Sequence, residues 1–232
     1  MKHDAIVFDP HPDDADWWTG GLTILLKEIG WNVTYVCVGP TTKITRANAI
    51  KSAKLLGVKR HFLEIPINGN NHFTRDLRKK VPALIKKING KMIFIPPFCD
   101  YHREHVLLAR ELFSLFHWSA GLGLGFIEVY SYDSHENRQP IEIYIDISRT
   151  WKQHRQSLAV HTNFERPSLP ENTLIRIKQG RAQSLGASIP AAPVEYAEGY
   201  RLLQADMKCV SSLSKLLPEQ FYFRSSTGLL EL

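Results

Sequence analysis

A dense group of acidic side chains surrounds a histidine near the start of the chain. The segment Phe8–Gly21, with the sequence FDPHPDDADWWTGG, directly follows the apolar run Ala5–Phe8. Like charges held this close repel each other, so a bound cation explains them better than a purely structural role does. Helix N-capping is the alternative explanation for Asp13 and Asp14, because Asp is favoured at that position.

A second polar group, made of Asp100, His102 and His105, follows the apolar run Met92–Ile95. A lone His-x-x-His pair is more often a surface or packing feature than a metal site. However, ligands of open parallel sheets bind beyond the carboxyl ends of the strands. If both apolar runs are strands of such a sheet, the two polar groups lie at the same edge.

These residue types favour a site for one divalent cation. His11 and Asp14 are three residues apart in a predicted turn, and His105 can supply a third ligand from the second group. Two imidazoles and one carboxylate suit zinc, and the same ligands accept iron or cobalt. Three protein ligands leave a position for water, and the metal lowers the pKa of that water.

The neighbouring polar residues suit proton transfer. We expect Asp13 to accept the proton of the water as a general base, and His102 to stabilise an oxyanion or to protonate a leaving group. Asp100 is expected to hydrogen-bond His102 and hold its orientation. Together these residues predict hydrolysis of a carbonyl compound such as an amide.

The elements that must position these residues alternate along the first half of the chain. This alternation predicts βαβ units, and therefore an α/β fold with a mostly parallel sheet flanked by helices. The predicted strands are 5–8, 32–38, 61–65, 92–95, 127–132 and 141–147. The predicted helices are 17–29, 46–56, 77–88, 105–116, 148–161 and 174–185. The tail beyond Tyr200 is weakly patterned, which predicts an irregular C-terminal part, and the absence of repeats or linkers predicts a single domain over 1–232.

Composition excludes several classes of protein. The 232 residues, 44% of them hydrophobic, are typical of a soluble globular protein. Neither a membrane-spanning run nor a signal peptide is evident, so we expect a cytoplasmic protein. The three cysteines are too scattered for a disulfide framework. The net charge of +6 is dispersed and accompanies no nucleic-acid module, so it predicts a basic face that attracts an anionic substrate.

The polar motifs resemble those of a known enzyme family. Pro10–Asp16 resembles the (A/P)HPDDxE signature of the LmbE-like, or PIG-L, family of zinc-dependent N-deacetylases. The spacing of Asp100, His102 and His105 resembles the family's D-x-H-x-D-H, and Tyr196–Arg201 resembles its Y-A-E-x-F-R. The resemblance extends in order over residues 3 to 201.

The resemblance implies a Rossmann-like sheet and the same division of roles. Zinc would be bound by His11, Asp14 and His105, with Asp13 as the general base and His102 assisting at the oxyanion. It further implies a substrate that carries an N-acetylglucosamine-type acetamido sugar. Family members often assemble as trimers or hexamers, so a homo-oligomer is expected.

The resemblance also implies residues that bind the substrate. Arg46 matches a family position that contacts the substrate away from the metal. Asn68 stands where many members carry an Asp that binds sugar hydroxyls. The sequence departs from the family pattern at further positions, which are Asp16, Ala49, Glu104 and Thr162-Asn163-Phe164. Neither an expected ligand nor the expected base is among them, so the resemblance implies that the reaction is retained while the sugar-binding residues differ.

The sequence therefore predicts a metal-dependent amide hydrolase that removes acetate from an N-acetylglucosamine-type sugar or sugar conjugate. Either Asp13 or His102 would protonate the departing amine. A hydrolase of a non-sugar amide with the same mechanism is the main alternative. A metallophosphoesterase is disfavoured because such sites gather more Asp and His ligands around two metals. A sugar-binding protein without turnover is the alternative from a different class, although a binder does not need the base.

Overall fold

The computed structural model describes residues 4–117, 121–124, 127–134, 140–162, 172–189, 192–204, 211–225 and 228–230. The strands in these ranges are β1 (Asp4–Asp9), β2 (Asn32–Cys37), β3 (Lys59–Phe62), β4 (Met92–Ile95), β5 (Glu128–Tyr132), β6 (Ile143–Asp146), β7 (Ala197–Gln204), β8 (Phe221–Ser225) and β9 (Gly228–Leu230). The helices are α1 (Asp14–Glu28), α2 (Lys43–Leu56), α3 (Asn71–Ile88), α4 (Arg103–His117), α5 (Trp151–Leu158), α6 (Thr173–Ala187) and α7 (Ser212–Leu216).

The strands form a single nine-stranded sheet in the order β3-β2-β1-β4-β5-β7-β6-β8-β9. The first five strands are parallel, as the alternation of elements predicts. The last four strands extend the sheet with antiparallel pairs, so the C-terminal part is more regular than its weak pattern predicted. The chain moves outward from β1 to β3 and then crosses to β4, which places the reversal of strand order between β1 and β4. Ligands of open α/β sheets bind at this reversal.

Helices cover both faces of the sheet, which confirms the predicted α/β class. Successive side chains of a strand point to opposite faces. In β1, Ala5 and Val7 share a core with α1, α2, α5 and α6, whereas Ile6 and Phe8 share a core with α3 and α4. This burial on both faces explains why the central strands are apolar without alternation.

Several element boundaries differ from the predicted ones for local reasons. Helix α1 begins at Asp14, three residues before the predicted start, so Asp14 is part of its first turn. Helix α3 begins at Asn71 because the Asn70 side chain accepts the Phe73 backbone N–H as an N-cap. Strand β3 ends at Phe62 and not at Ile65, since Glu64 adopts a positive φ of 52° that interrupts an extended backbone.

Within the ranges that the structure describes, no helix combines the length and apolar character needed to cross a bilayer.

Candidate active site

Two loops meet at the strand-order reversal. The first connects β1 to α1 and carries His11 and Asp13, and the second connects β4 to α4 and carries Asp100 and His102. Because β1 and β4 are paired in parallel, their carboxyl ends lie side by side. The structure thus brings together the two polar groups that are remote in the sequence.

Three donor atoms converge between these loops. Oδ2 of Asp14 lies 3.0 Å from Nδ1 of His11 and 3.3 Å from Nε2 of His105. Tetrahedral bonds of about 2.0–2.2 Å to a metal such as zinc place neighbouring donors about 3.3–3.6 Å apart. The distance to His105 matches this spacing and the distance to His11 is slightly shorter, so the chemistry and approximate spacing of this donor set fit a small divalent cation.

A second combination of donors includes His102. One ring nitrogen from each of His11, His102 and His105 can be chosen so that all lie within 4.8 Å of one another. In the first set, Asp14 lies within 3.3 Å of both histidine nitrogens, and it adds the negative charge that neutral imidazoles lack. The set with Asp14 therefore fits a cation better, and it leaves the exposed His102 at the rim.

Carboxylates hold the outer nitrogens of both candidate ligand histidines. Oδ2 of Asp100 lies 3.0 Å from Nδ1 of His105, and Oε2 of Glu104 lies 2.5 Å from Nε2 of His11. Asp100 also contacts His102, but it accepts the backbone N–H of that residue at 2.8 Å. The expected contact between Asp100 and the His102 ring is therefore replaced by one with the His105 ring. The contact of Glu104 was missed by the sequence analysis, which treated this residue only as a departure from the family pattern.

The charges in this cluster reinforce each other. Burial disfavours the charged forms, but the nearby His105 and His11 outweigh it and hold the pKa of Asp14 well below its usual range. Burial likewise opposes protonation of both histidines. The charges and hydrogen bonds of Asp14 and Asp100 prevail at His105, where the pKa is raised to about 10, and those of Asp14 and Glu104 raise the pKa of His11 to about 9. Asp14 is thus kept in the anionic form that binds a cation.

Asp13 occupies the N-cap position of α1, but its side chain does not cap the helix. The side chain of Asp9 instead accepts the Ala15 backbone N–H at 3.3 Å. Buried Asp9 is in turn paired with buried Arg60, whose Nη2 also donates to the carbonyl of Pro12. The capping explanation for Asp13 therefore lacks the hydrogen bond that it requires.

A cavity of about 470 Å³ opens above the donor atoms. The residues with candidate chemical roles that line it are His11, Asp13, Asp14, Asp100, His102 and His105. Other residues that line it include Trp18, Leu174, Ile177 and Lys178. A larger groove of about 780 Å³ lies between α6 and β8, and the described residues that line it include neither histidine nor cysteine.

The model of the PIG-L family, described as GlcNAc-PI de-N-acetylase, matches residues 6–115. This range contains both loops of the cavity. Over these residues, which are just under half of the chain, the sequence is similar to the PIG-L, or LmbE-like, family. A search of curated proteins found no match.

Solved structures share the fold of this protein at low sequence identity. The 4-carboxy-2-hydroxymuconate hydratase GalB of Pseudomonas putida KT2440 is 17% identical with a TM-score of 0.74, over 89% of this chain and 98% of that one. The N,N'-diacetylchitobiose deacetylase of Pyrococcus horikoshii is 22% identical with a TM-score of 0.69, over 92% and 88%. The conserved protein TT1542 of Thermus thermophilus is 16% identical with a TM-score of 0.72, over 90% and 100%. These likenesses establish the fold, and the reaction must be argued from the site.

Two residues that the PIG-L resemblance assigns to the substrate lie apart from the cavity wall. Arg46 is half-exposed on α2, where its Nη1 donates to Oε1 of Glu64 at 2.8 Å and its guanidinium lies 4.2 Å from the Phe62 ring centroid. The exposed Asn68 accepts the backbone N–H of Asn70 with its side-chain oxygen. Neither is among the residues that line the cavity.

Other PIG-L motif residues form a buried polar network behind the cavity. Asp16 accepts a hydrogen bond from Ser52 and pairs with Nε2 of His161. Glu198, from the Y-A-E segment, accepts the backbone N–H groups of Gly21 and Leu22 at 2.9 and 3.0 Å. These contacts join α1 to α2, β7 and the segment that contains His161. Part of the family pattern is therefore explained by packing and not by catalysis. Of the other departures from the pattern, Asn163 and Phe164 lie outside the described residues.

Proposed function

We propose that the protein is a zinc-dependent N-deacetylase that hydrolyses the acetamido group of a sugar or sugar conjugate to acetate and a free amine. The observation that carries this proposal is the meeting of three candidate metal donors with Asp13 and His102 in one cavity, within the residues that match the PIG-L family model. We assign the metal to His11, Asp14 and His105.

The cation at this site, when bound, would supply Lewis-acid chemistry that polarises the acetyl carbonyl and makes water more acidic. Asp13 accepts a proton from the attacking water, a task for which a carboxylate at the cavity wall is suited. His102 lies at the rim and donates a hydrogen bond to the oxyanion that develops on the carbonyl oxygen. Asp13 or His102 then returns a proton to the departing amine.

The cavity wall supports a substrate with both a sugar ring and an anionic group. Trp18 offers an apolar surface of the kind on which sugar rings stack. Lys178, also in the wall, is 3% exposed, and its Nζ lies 4.8 Å from the Trp18 ring centroid. Burial lowers the pKa of Lys178, and a negatively charged ligand would favour its charged form, in agreement with the net charge of +6. Arg46 and Asn68 are retained as candidate contacts for the more distant parts of such a substrate.

The proposal is tested by acetate release from a panel of N-acetylated sugars, sugar nucleotides and non-sugar amides. Wild type loaded with Zn²⁺ is compared with Asp13→Ala and His105→Ala. Loss of one catalytic group typically lowers the rate by about 10²–10⁴-fold. We expect a loss of at least this order in both variants, with metal retained in Asp13→Ala.

The outcomes separate the alternatives. Acetate released only from non-sugar amides would show that the substrate is a non-sugar amide. Tight sugar binding by metal-loaded wild type without any acetate would indicate a binding protein. Since GalB, which shares this fold, is a hydratase, the products are also checked for addition of water without acetate release.

A further inference from the structure

The ring of His11 is held from both sides. Its Nδ1 faces Oδ2 of Asp14 at 3.0 Å, within the group of candidate metal donors. Its Nε2 points the other way and lies 2.5 Å from Oε2 of Glu104. Glu104 is on the first turn of α4, so this contact joins the loop after β1 to the helix that follows β4.

His105 is held by the same arrangement with a different carboxylate. Its Nε2 faces Asp14 at 3.3 Å, and its Nδ1 lies 3.0 Å from Oδ2 of Asp100. Asp100 is itself fixed, because it accepts a hydrogen bond from Oγ of Ser134 at 2.8 Å. Both histidines of the candidate centre thus have one nitrogen among the donors and the other against a carboxylate.

This pairing has a chemical consequence for metal binding. A histidine binds a metal through the lone pair of one nitrogen, so the other nitrogen must carry the hydrogen. A carboxylate that accepts this hydrogen fixes the tautomer and the ring orientation, and it makes the bound nitrogen a stronger donor.

We infer that Glu104 is a positioning residue for the metal centre, which holds the Nε2–H tautomer of His11 so that Nδ1 is presented to the cation. The inference rests on the proposed metal centre and extends it with a residue of α4. The longer Glu side chain, in place of the Asp of the family motif, gives the reach from α4 to the loop after β1.

Glu104 and Asp100 differ in exposure, which sets the expected size of the effect. The Glu104 side chain is 40% exposed, whereas that of Asp100 is 2% exposed. Removal of a carboxylate that holds a ligand histidine lowers metal affinity by about 10–100-fold. We expect Glu104→Ala to fall at the lower end of this range, because water screens part of the interaction.

The test measures the affinity of the metal-stripped full-length protein for Zn²⁺ by competition with a chromophoric chelator. Glu104→Ala should bind Zn²⁺ about 10-fold more weakly than wild type. Glu104→Gln should lie between them, because its amide oxygen still accepts the hydrogen without a charge. Asp76→Asn is the matched control, since its side chain on α3 is 42% exposed and contacts Arg75, and its affinity should equal that of wild type.

Two further measurements separate positioning from other roles. The melting temperature of each metal-free variant should stay near that of wild type, which excludes a loss of fold. At saturating Co²⁺, Glu104→Ala should keep the visible absorption band of wild type, because the direct ligands are unchanged. A band of altered shape would make Glu104 a direct ligand and overturn the inference.

If Glu104→Ala bound Zn²⁺ as tightly as wild type, the positioning role of Glu104 would be overturned and the proposed function would remain intact. Failure of wild type itself to bind Zn²⁺ or Co²⁺ would instead overturn the metal centre on which both proposals depend.

Discussion

At the scale of single residues, surroundings give buried histidines opposite properties in this protein. His105 lies among carboxylates, which overcome burial and raise its pKa to about 10. His154 is fully buried and its Nε2 donates to the carbonyl of Asp16 at 2.7 Å. Burial is the largest influence there, and it lowers the pKa of His154 to about 4. The first histidine suits a metal or a charge, and the second is a neutral packing element.

The neutral His154 predicts a loss of stability at mildly acidic pH. Its folded pKa of about 4 lies below the ordinary value of 6.5, so the native state resists protonation that the unfolded chain accepts. Its contribution is present above pH 6.5 and is lost as the pH falls from 6.5 towards 4, by about 3 kcal/mol at 1.36 kcal/mol per pKa unit. Urea unfolding of the metal-free protein at several pH values measures this slope. His154→Gln cannot titrate, so an equally steep slope in that variant would assign the effect to other groups.

The residues that converge in the candidate site could be predicted from the sequence, but the hydrogen-bond partners of their side chains could not. His11, Asp14 and His105 meet because motif spacing and the parallel pairing of β1 with β4 determine where their backbones lie. The partners of the outer nitrogens depend on side-chain reach between loops, which no spacing rule supplies. Glu104 therefore reaches His11 unpredicted, and Asp100 takes the ring of His105 where that of His102 was expected.

At the scale of elements, α1 is the helix on which the candidate site depends, and it is packed unusually closely. Gly20 and Gly21 lie against the side chains of His154 and Ile147, where an added Cβ atom would overlap ring or methyl atoms. Glu198 accepts the backbone N–H groups of Gly21 and the residue after it. The helix can approach α5 and Ile147, which follows β6, this closely only because these positions lack side chains.

Gly20→Ala is therefore expected to destabilise the protein. The added methyl group would overlap the ring of His154, and overpacking of a buried site costs about 1–3 kcal/mol. Gly180→Ala in α6 is the control, because none of the described residues places an atom within 4 Å of its Cβ position. Alanine there should add stability, up to about 1 kcal/mol, since glycine is a poor helix former. Equal urea midpoints for the two variants would show that α1 has room that the structure does not indicate.

At the scale of the whole molecule, the parallel and antiparallel halves of the sheet contribute different residues to the cavity. The parallel half positions the candidate metal donors, on the loop after β1 and on the first turns of α1 and α4, and its strong alternation of strands and helices made it predictable. The outer antiparallel strands follow the weakly patterned tail, whereas α6, which was predicted as a helix over 174–185, contributes Leu174, Ile177 and Lys178 to the cavity. The candidate metal donors and the α6 residues of the cavity therefore both come from elements that the sequence predicted, whereas β7, β8 and β9 were not predicted as strands.

A cation held between the two loops should stabilise the entire fold. Its donors come from elements that are adjacent only in the native sheet, so it binds the folded chain in preference to the unfolded one. Such binding adds about 2.7 kcal/mol at a free metal concentration of about 100 times Kd. A change of about 1 kcal/mol shifts the melting temperature by about 2–4 °C for a chain of this size.

Zn²⁺ added to chelator-treated wild type should accordingly raise the melting temperature by about 5–11 °C. The same addition should have little effect on His105→Ala, which keeps the other donors but lacks the one supplied by α4. Differential scanning calorimetry measures both shifts, with Asp76→Asn as the control expected to behave like wild type. An equal rise in His105→Ala would place the bound metal elsewhere, because a cation that no longer joins the two loops cannot stabilise the sheet through them.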